Sequence, residues 1–208
     1  MTPADETLAA IERADGKALA VQTDVSDNAS VRQMTEQAVA RFGCIDGLVN
    51  NAAHFREVGP TEFELIDPGR WDRRFAVNVK GVWMCGQAVM PAMRLQGCGS
   101  MVNIASVVAV AGQPGYLHYV ASKGAVLTMA KEVGKNGMRV NVIAPGFVIT
   151  DAPKNRPIEW RQSFLKAHAL QREQKPDDLV STARYLLSDL GGLSPARRSS
   201  LTAATSCT

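Results

Sequence analysis

The sequence predicts an α/β protein in which helices cover both faces of a parallel sheet. Segments of helical periodicity alternate with short apolar segments along most of the chain, which is typical of parallel strands joined by helical crossovers. Met101–Ala105 is an apolar run bounded by Gly99 and Ser106, as expected of a strand buried on both faces. We therefore predict one doubly wound α/β domain over residues 1–190, followed by an irregular tail over residues 191–208.

Each element is predicted from the spacing of apolar residues and from the Gly, Pro and polar residues that bound it. The predicted helices cover residues 3–14, 30–42, about 71–95, about 116–134 and about 176–188. The predicted strands are Ala18–Thr23, Ile45–Asn50, Met101–Ala105 and Arg139–Ala144. Loops are predicted at His54–Gly69 and around Gly112–Gly115, and residues 151–176 are polar and Pro-rich apart from an amphipathic stretch at Trp160–His168.

Composition and charge exclude several classes of protein. The 208 residues include 23 Lys and Arg against 20 Asp and Glu, and a net charge of only +3 does not create a nucleic-acid surface. No apolar run approaches the roughly 20 residues that span a bilayer, and no signal-peptide pattern is present. The 4 cysteines lack metal-site spacing and are predicted to be reduced thiols. We expect a cytoplasmic protein that binds neither nucleic acid nor membranes.

Small and polar residues follow two of the predicted strands. Asn50, Asn51, Ala52 and Ala53 come directly after a strand, and their small side chains allow a ligand to lie close to the backbone at the carboxyl end of the sheet. Ser106 also follows a strand directly. The sequence therefore predicts a ligand site at this edge.

A tyrosine and a lysine lie four residues apart on a predicted helix. Tyr119 and Lys123 share one face and lie within mutual reach. A neighbouring ammonium favours the phenolate, so we expect Tyr119 to exchange a proton nearer neutral pH than its reference value of about 10. With the Ser106 hydroxyl nearby, this pair suits acid–base chemistry on a carbonyl group.

These residues resemble a known catalytic signature. Tyr119-Val-Ala-Ser-Lys123, with Ser106 thirteen positions earlier, resembles that of the short-chain dehydrogenase/reductase family. Asn78, within Ala-Val-Asn-Val-Lys-Gly, matches the family's fourth catalytic position. Asn50 to Ala53 resembles its Asn-Asn-Ala-Gly motif, with Ala in place of the last Gly. The resemblance extends from about residue 5 to residue 190.

The resemblance implies a Rossmann-like sheet and hydride transfer between NAD or NADP and a secondary alcohol or ketone. Tyr119 would be the general acid and base, and Lys123 would lower its pKa and hold the nicotinamide ribose. Ser106 would bind the substrate oxygen, and Asn78 would hold a water of the proton relay. A 3-oxoacyl thioester and a small hydroxy compound both remain open as substrates. The family also implies a homo-oligomer, either a dimer or a tetramer.

Cofactor-binding positions follow from the same resemblance. They are Asp24, Val25, Asn50, Ala52, Ala53, Tyr119, Lys123, Pro145, Gly146, Val148 and Thr150. Two have an alternative interpretation: Asp24 is also suited to start a helix before Ser26, and Thr150 to serve as a loop hydroxyl. By position, the substrate pocket would be lined by His54, Phe55, Val108, Gln113 and His118, although His118 is also compatible with a solvent-facing position.

The chain departs from the family pattern in three places. The first two strands and the Gly-rich turn that binds pyrophosphate have no counterpart, so the sequence does not distinguish NAD from NADP. In the family's sheet order of 3-2-1-4-5-6-7, this leaves Ala18–Thr23 without a neighbour. The helix after Lys123 is about one turn short. The last strand is also missing, so the domain over residues 1–190 is predicted to be incomplete.

Residues 192–208 do not resemble the family. One coding of them, read from its third base, translates as SVTGQTLLVDGGYKLY, which closely resembles the family's last strand and C-terminus. We hypothesise a one-base frame slip near codon 192, which the nucleotide sequence across that codon tests. An alternative to an active enzyme is a catalytically inactive remnant that keeps the Asn, Ser, Tyr and Lys positions but cannot bind the cofactor.

Overall fold

A parallel sheet forms the centre of the protein. The computed structural model describes residues 3–55, 60–130, 138–149, 172–193 and 198–199. The strands are β1 (Gly47–Asn50), β2 (Gly99–Ile104), β3 (Met138–Ile143) and β4 (Arg198–Ser199), in the order β1-β2-β3-β4. All three pairs are parallel, and the register places Asn50 opposite Asn103 and Asn103 opposite Val142.

Helices connect the strands and flank the sheet. They are α1 (Pro3–Arg13), α2 (Asn28–Phe42), α3 (Pro68–Phe75), α4 (Val82–Gln96), α5 (Val108–Ala111), α6 (Leu117–Met129) and α7 (Asp177–Leu187). A π-helix at Ala76–Gly81 joins α3 to α4, and short 3-10 helices lie at Phe63–Leu65 and Asp189–Leu193. The side chain of Asp27 caps the first turn of α2, and Gly43 ends α2 in the left-handed region at a φ of 85°.

The core lies on both faces of the sheet. On one face, Met101 and Val140 pack with apolar residues of α4 and α6. On the other face, Val102 and Ile143 pack with Leu186 of α7. Because side chains alternate along a strand, neighbouring residues of β2 contribute to the two different layers. This arrangement confirms the predicted doubly wound, Rossmann-like α/β fold.

The predicted strand at Ala18–Thr23 is wrong. Residues 16–24 form neither a helix nor a strand, and β1 lies at the edge of the described sheet. Val49 of β1 is 44% exposed, as the position of β1 at the edge of the sheet allows. A strand needs a neighbour for its N–H and C=O groups. In the described residues, no strand lies beyond β1 to provide one for Ala18–Thr23.

Other differences between the predicted and the observed elements concern where helices are interrupted and where elements begin and end. The predicted helix from Trp71 to Leu95 begins at Pro68 and is interrupted by the π-helix, and α5 forms where a loop was predicted. The predicted absence of a last strand needs one correction, because β4 pairs two residues with Val142 and Ile143. An open strand edge accepts a partner through backbone groups alone, so its sequence need not favour a strand. The shortened end of the helix after Lys123 and the stretch Trp160–His168 lie outside the described residues.

Candidate active site

The carboxyl ends of β2 and β3 bring the first site residues together. Ala105 donates its N–H to the carbonyl of Ile143 at 2.8 Å, and Val107 donates to the carbonyl of Pro145 at 3.0 Å. Backbone hydrogen bonding between the two segments thus continues past the ends of β2 and β3 and places Ser106 beside Pro145. Both residues are buried. They meet at the carboxyl end of the sheet, where the sequence predicts a ligand site.

Tyr119 faces this edge from the first turn of α6. Its phenol lies close enough to the Ser106 side chain for the serine to act to lower the phenol's pKa. The ring of Phe55 packs against the Tyr119 ring, with centroids 5.0 Å apart and planes inclined by 56°. Phe55 therefore lies against Tyr119, and its place in a substrate pocket remains a prediction. Ser106 and Tyr119 lie near enough to each other to contact one oxygen atom of a substrate.

Lys123 lies one turn after Tyr119 and is only 4% exposed. Its Nζ donates a hydrogen bond of 2.7 Å to the carbonyl oxygen of Ile104 and lies 6.0 Å from the centre of the Tyr119 ring. Burial disfavours the charged ammonium and lowers the pKa of Lys123 to about 8. The amine is held against the end of β2.

The pKa of Tyr119 differs from the expectation. Burial raises it above the ordinary value of 10.0, and the nearby Ser106 side chain and the charge of the Arg74 guanidinium only partly oppose this rise. The predicted lowering by Lys123 is therefore wrong for this structure. The physical reason is that the phenol is withdrawn from water while the Lys123 amine bonds to the backbone of β2.

Asn78 is buried in the π-helix between α3 and α4. Its Oδ1 accepts a hydrogen bond of 2.7 Å from the backbone N–H of His54, and its Nδ2 donates to Ser122 Oγ at 3.1 Å. π-helical turns inside α-helices are frequent at functional sites. The side chain connects the segment after β1 to α6, whereas its role in holding a water remains a prediction.

Asn50, at the end of β1, and the two alanines that follow differ in burial. Asn50 is buried, and its Nδ2 donates to Asn103 Oδ1 at 2.9 Å and, at 3.5 Å, to the carbonyl of Val82. This side chain links β1 to β2 and to α4. Ala52 and Ala53 are exposed at the open edge of the sheet. Their small side chains leave the backbone accessible, as the sequence predicted.

Asp24 is engaged by its own chain. Its Oδ1 accepts hydrogen bonds from the N–H of Ser26 at 2.9 Å and from Ser26 Oγ at 2.6 Å. Its own N–H donates to Ser30 Oγ at 3.0 Å. The bonds from Ser26, together with the nearby charge of Arg73, lower the pKa of the Asp24 carboxyl. This geometry makes Asp24 part of the turn before α2, whereas Asp27 is the residue that caps the helix.

Val25 contacts the π-helix. A Cβ atom added to Gly81 would lie 3.0 Å from both Val25 Cγ2 and the Val25 carbonyl oxygen. Only glycine allows this approach without a shift of the backbone. The contact brings the Asp24–Val25 turn beside the helical segment that carries Asn78.

The remaining predicted positions are distributed around these residues. Gly146 and Val148 are partly buried after β3, and Val148 forms a parallel bridge with Gln174. His54, Val108 and Gln113 are partly buried. Thr150 lies outside the described residues, so its choice between cofactor contact and loop hydroxyl stays open.

His118 is not solvent-facing. It is 4% exposed, because α6 packs against α3 and the π-helix and turns this face of the helix inward. Burial lowers the pKa of His118, and the nearby guanidinium groups of Arg74 and Arg70 lower it further. The imidazole is therefore neutral at physiological pH.

Two residues of the site were not predicted from the sequence. Arg74 on α3 is 1% exposed, and its charge acts on both Tyr119 and His118. Arginine is rarely buried so completely, so only its spacing of four residues before Asn78 marks it as sharing that inward face. Ser122 lies within the Tyr-Val-Ala-Ser-Lys motif, but nothing in the motif shows what its hydroxyl contacts.

Two other kinds of site were sought in the described part of the chain. There, no three His, Cys, Asp or Glu side chains cluster so that they could hold a metal ion. Within the same residues, no helix is both long and apolar enough to cross a membrane.

Comparisons with known proteins agree with this geometry. Residues 2–194 match the family model described as enoyl-(acyl carrier protein) reductase. A 3-oxoacyl-(acyl-carrier-protein) reductase from Synechocystis sp. is 35% identical over 192 residues, which cover 90% of this chain and 75% of the relative. The corresponding protein from Thermotoga maritima is 35% identical over 189 residues, or 89% of this chain and 76% of the relative.

Solved structures show the same likeness. A gluconate 5-dehydrogenase from Burkholderia cenocepacia, in complex with NADP and tartrate, has a TM-score of 0.86 at 28% identity, over 95% of this chain and 79% of that one. Levodione reductase has a TM-score of 0.88 at 29% identity, over 96% of this chain and 82% of that one.

The fold and the site define a Rossmann-like protein of the NAD(P)-dependent oxidoreductase class. More particularly, the chain belongs to the short-chain dehydrogenase/reductase family. The predicted fold class, family, enzyme class and type of cofactor are thereby confirmed.

Proposed function

We propose that this protein reduces the ketone of a 3-oxoacyl thioester in the cytoplasm, with Tyr119 as the general acid. The observation that carries the proposal is the position of the Ser106 hydroxyl close to the Tyr119 phenol, beside the buried Lys123. The acyl substrate is supported by the relatives from Synechocystis sp. and Thermotoga maritima, both of which are 3-oxoacyl-(acyl-carrier-protein) reductases. Oxidation or reduction of a small hydroxy compound is the second candidate, supported by the likeness to gluconate 5-dehydrogenase.

The chemistry of the side chains favours reduction. Ser106 donates a hydrogen bond to the substrate carbonyl oxygen, and Tyr119 delivers its proton to the same oxygen as the ketone becomes an alcohol. A raised pKa keeps the Tyr119 phenol protonated at neutral pH, which is the form that a general acid requires. The partly buried ring of Phe55 packs on the Tyr119 ring beside this proton transfer.

The residues present fit the nicotinamide half of an NAD(P) cofactor. When bound, the cofactor supplies the hydride, and the protein positions it. Lys123 and Tyr119 would hold its ribose, and Pro145, Gly146 and Val148 would border its ring. The buried polar residues around Lys123, among them Asn78, Ser106 and Ser122, support this fit.

Fewer contacts are available on the adenosine side. Val25, Ala52 and Ala53 would lie against the adenosine half, and the Asp24 carboxylate is already bonded to Ser26. The exposure of Ala52 and Ala53 is the observation that favours the alternative, an inactive remnant that does not hold the cofactor. The two functions are separated by direct measurement of binding.

The first test is a fluorescence titration of the purified chain with NADH and NADPH separately. We expect saturable binding that Lys123→Ala weakens, with Arg32→Ala, an exposed cation on α2, as the control that leaves it unchanged. Turnover is then measured as loss of reduced cofactor with acetoacetyl thioester and with a small ketone. If the folded chain bound neither NADH nor NADPH, the proposal of an enzyme would fail and the inactive remnant would take its place as the proposed function.

We also infer a homo-oligomer, either a dimer or a tetramer. Trp83 and Leu95 on α4 are large apolar side chains exposed to solvent in the single chain. Burial of such side chains against a second copy would remove apolar area from water. Analytical ultracentrifugation tests this inference, and a monomer at micromolar concentration would contradict it.

A further inference from the structure

Ser122 occupies the centre of a buried hydrogen-bond chain. The residue is 0% exposed, and its Oγ accepts a hydrogen bond of 3.1 Å from Asn78 Nδ2. The same Oγ donates to the backbone carbonyl of Tyr119 at 2.8 Å. One hydroxyl thus connects the π-helix to the backbone of the proposed general acid.

The chain continues to the loop that packs on the Tyr119 ring. Asn78 Oδ1 accepts from the N–H of His54 at 2.7 Å, which holds the backbone one residue before Phe55. The Phe55 ring then contacts the Tyr119 ring at a centroid distance of 5.0 Å. Ser122, Asn78, the His54–Phe55 segment and Tyr119 therefore form a closed circuit of contacts.

A serine in a helix commonly bonds to a carbonyl three or four residues earlier, and such a local bond by itself has little effect outside its turn. Here the hydroxyl is also the acceptor for a buried amide. Its removal leaves Asn78 Nδ2 without that acceptor in a place from which water is excluded, and such a group is costly. Asn78 is then expected to move, together with the loop that it holds.

We propose that Ser122 is a positioning residue for Tyr119, holding the phenol where it meets Ser106. This inference rests on the proposed function, in which Tyr119 is the general acid. Tyr119 is held at its carbonyl by Ser122 and at its ring by Phe55, and both restraints depend on the circuit. Loss of the hydroxyl loosens both at once.

Ser122→Ala tests the proposal, and Thr128→Ala is the matched control. Thr128 Oγ1 donates to the carbonyl of Ala125 at 2.9 Å on the exposed face of the same helix. Its removal deletes the same kind of bond to a carbonyl three residues earlier, but no amide is left without an acceptor. A difference between the two variants therefore isolates the link to Asn78.

The primary readout is ionisation of the Tyr119 phenol, which needs neither cofactor nor substrate. Phenolate absorbance is followed against pH, and the Tyr119→Phe variant identifies its contribution among the 3 tyrosines. We expect Ser122→Ala to raise the midpoint by about half a pH unit as the phenol moves away from the Ser106 hydroxyl. Arg74 keeps its charge in every variant, and Lys123, with a pKa of about 8, is neutral in all of them at the pH where Tyr119 ionises. Thr128→Ala should titrate like the unmodified chain.

Turnover is the second readout. We expect kcat of Ser122→Ala to fall by roughly tenfold or more, because a small misplacement of a reacting group has a large effect. Combining Ser122→Ala with Asn78→Ala should lower kcat no further than the more damaging of the two single changes, because both changes break the same circuit of contacts. Ser122→Thr retains the hydroxyl and should restore the Tyr119 titration, and Ser122→Cys replaces Ser122→Ala if the latter does not fold.

A Tyr119 titration in Ser122→Ala, or in Ser122→Cys, that equals that of the unmodified chain overturns the proposal whether or not the enzyme is active. If the unmodified chain shows no turnover, the proposed function fails, and the titration still decides whether Ser122 positions Tyr119.

Discussion

The Nζ atom of Lys123 and the carbonyl oxygen of Ile104 lie 2.7 Å apart, so that a side chain of α6 is bonded to the last residue of β2. This contact places a titratable group almost completely inside the protein, and its burial holds the pKa of Lys123 at about 8. The relationship has consequences for stability as well as for catalysis.

Stability should depend on pH through Lys123. The folded-state pKa of about 8 lies below the ordinary value of 10.5, so between these values the unfolded chain binds more protons than the folded chain. The free energy of unfolding therefore rises with pH in this window, by at most about 1.4 kcal/mol per pH unit for one group. Urea unfolding at several pH values measures it.

Lys123→Met provides the comparison for that experiment, because it fills similar space without a titratable group. Above about pH 9 the buried Cys85, whose pKa is raised by burial, acts in the opposite direction in both proteins. The difference between the two curves is thus due to Lys123. Parallel curves between pH 8 and 10 would show that its folded-state pKa is not lowered.

Tyr119→Phe should abolish most turnover without unfolding the protein. Removal of one phenolic oxygen deletes the general acid, and such groups contribute roughly 10²–10⁴-fold to rate. The ring itself remains packed on Phe55, so Tm should change little. Steady-state rates and thermal unfolding are compared with those of Tyr185→Phe, an exposed tyrosine on α7. Equal loss of activity in both variants would contradict the assignment.

Arg74→Met should raise the pKa values of both Tyr119 and His118. The Arg74 guanidinium favours the phenolate of the first and disfavours the imidazolium of the second, so its removal changes both in one direction. Phenolate absorbance and imidazole proton resonances measure the two titrations, with His118→Gln identifying the resonance. Arg94→Met, which alters an exposed arginine on α4, is the control. Unchanged titrations in Arg74→Met would show that the Arg74 charge does not influence the pKa of Tyr119 or of His118.

Asp24→Ala should lower Tm and leave the affinity for NADH nearly unchanged. Its carboxylate accepts both bonds from Ser26 at the turn before α2, so the loss is expected at the start of that helix. Thermal unfolding and NADH titration are compared with those of Asp72→Ala, an exposed acid on α3. A tenfold or greater weakening of NADH binding with an unchanged Tm would instead identify Asp24 as a cofactor contact.

Substitution of residues 192–208 by SVTGQTLLVDGGYKLY should lengthen β4 and raise Tm. In the described part, β4 pairs with only two residues of the six-residue β3. The substituted segment contains Thr, Leu, Leu and Val in succession, which favour a strand far more than Arg198 and Ser199 do. Thermal unfolding is compared with that of a chain carrying the same residues in scrambled order. Equal stability of the two chains would show that the order of the substituted residues does not favour a longer β4.

Most of the sheet could be predicted from local pattern. The strands β1, β2 and β3 lie within two residues of their predicted positions, because continuous apolar runs bounded by turn residues have few other uses. Ala18–Thr23 has the same pattern and forms no strand. Its failure shows that an apolar run specifies burial, whereas a strand also needs a neighbour to pair with.

The site was predicted as a set of positions but not as a set of interactions. Residue type and spacing pointed to Ser106, Tyr119 and Lys123, and the resemblance to the family added Asn78. The fold brings Ser106, Tyr119 and Lys123 to one end of the sheet. The direction of the Tyr119 pKa shift was wrong, because it depends on how deeply the phenol is buried. The roles of Arg74 and Ser122 depend on contacts between α3, the π-helix and α6, which no local pattern contains.

The sequence by itself therefore determined the α/β class, the family and the residue types available for chemistry. Apolar spacing and motif spacing are properties of the chain order, so they persist without coordinates. Only the tertiary structure decided which groups are buried, which carbonyl holds Lys123 and which hydroxyl meets Asn78. These depend on distances between segments far apart in the chain, and desolvation and hydrogen bonding act through those distances alone.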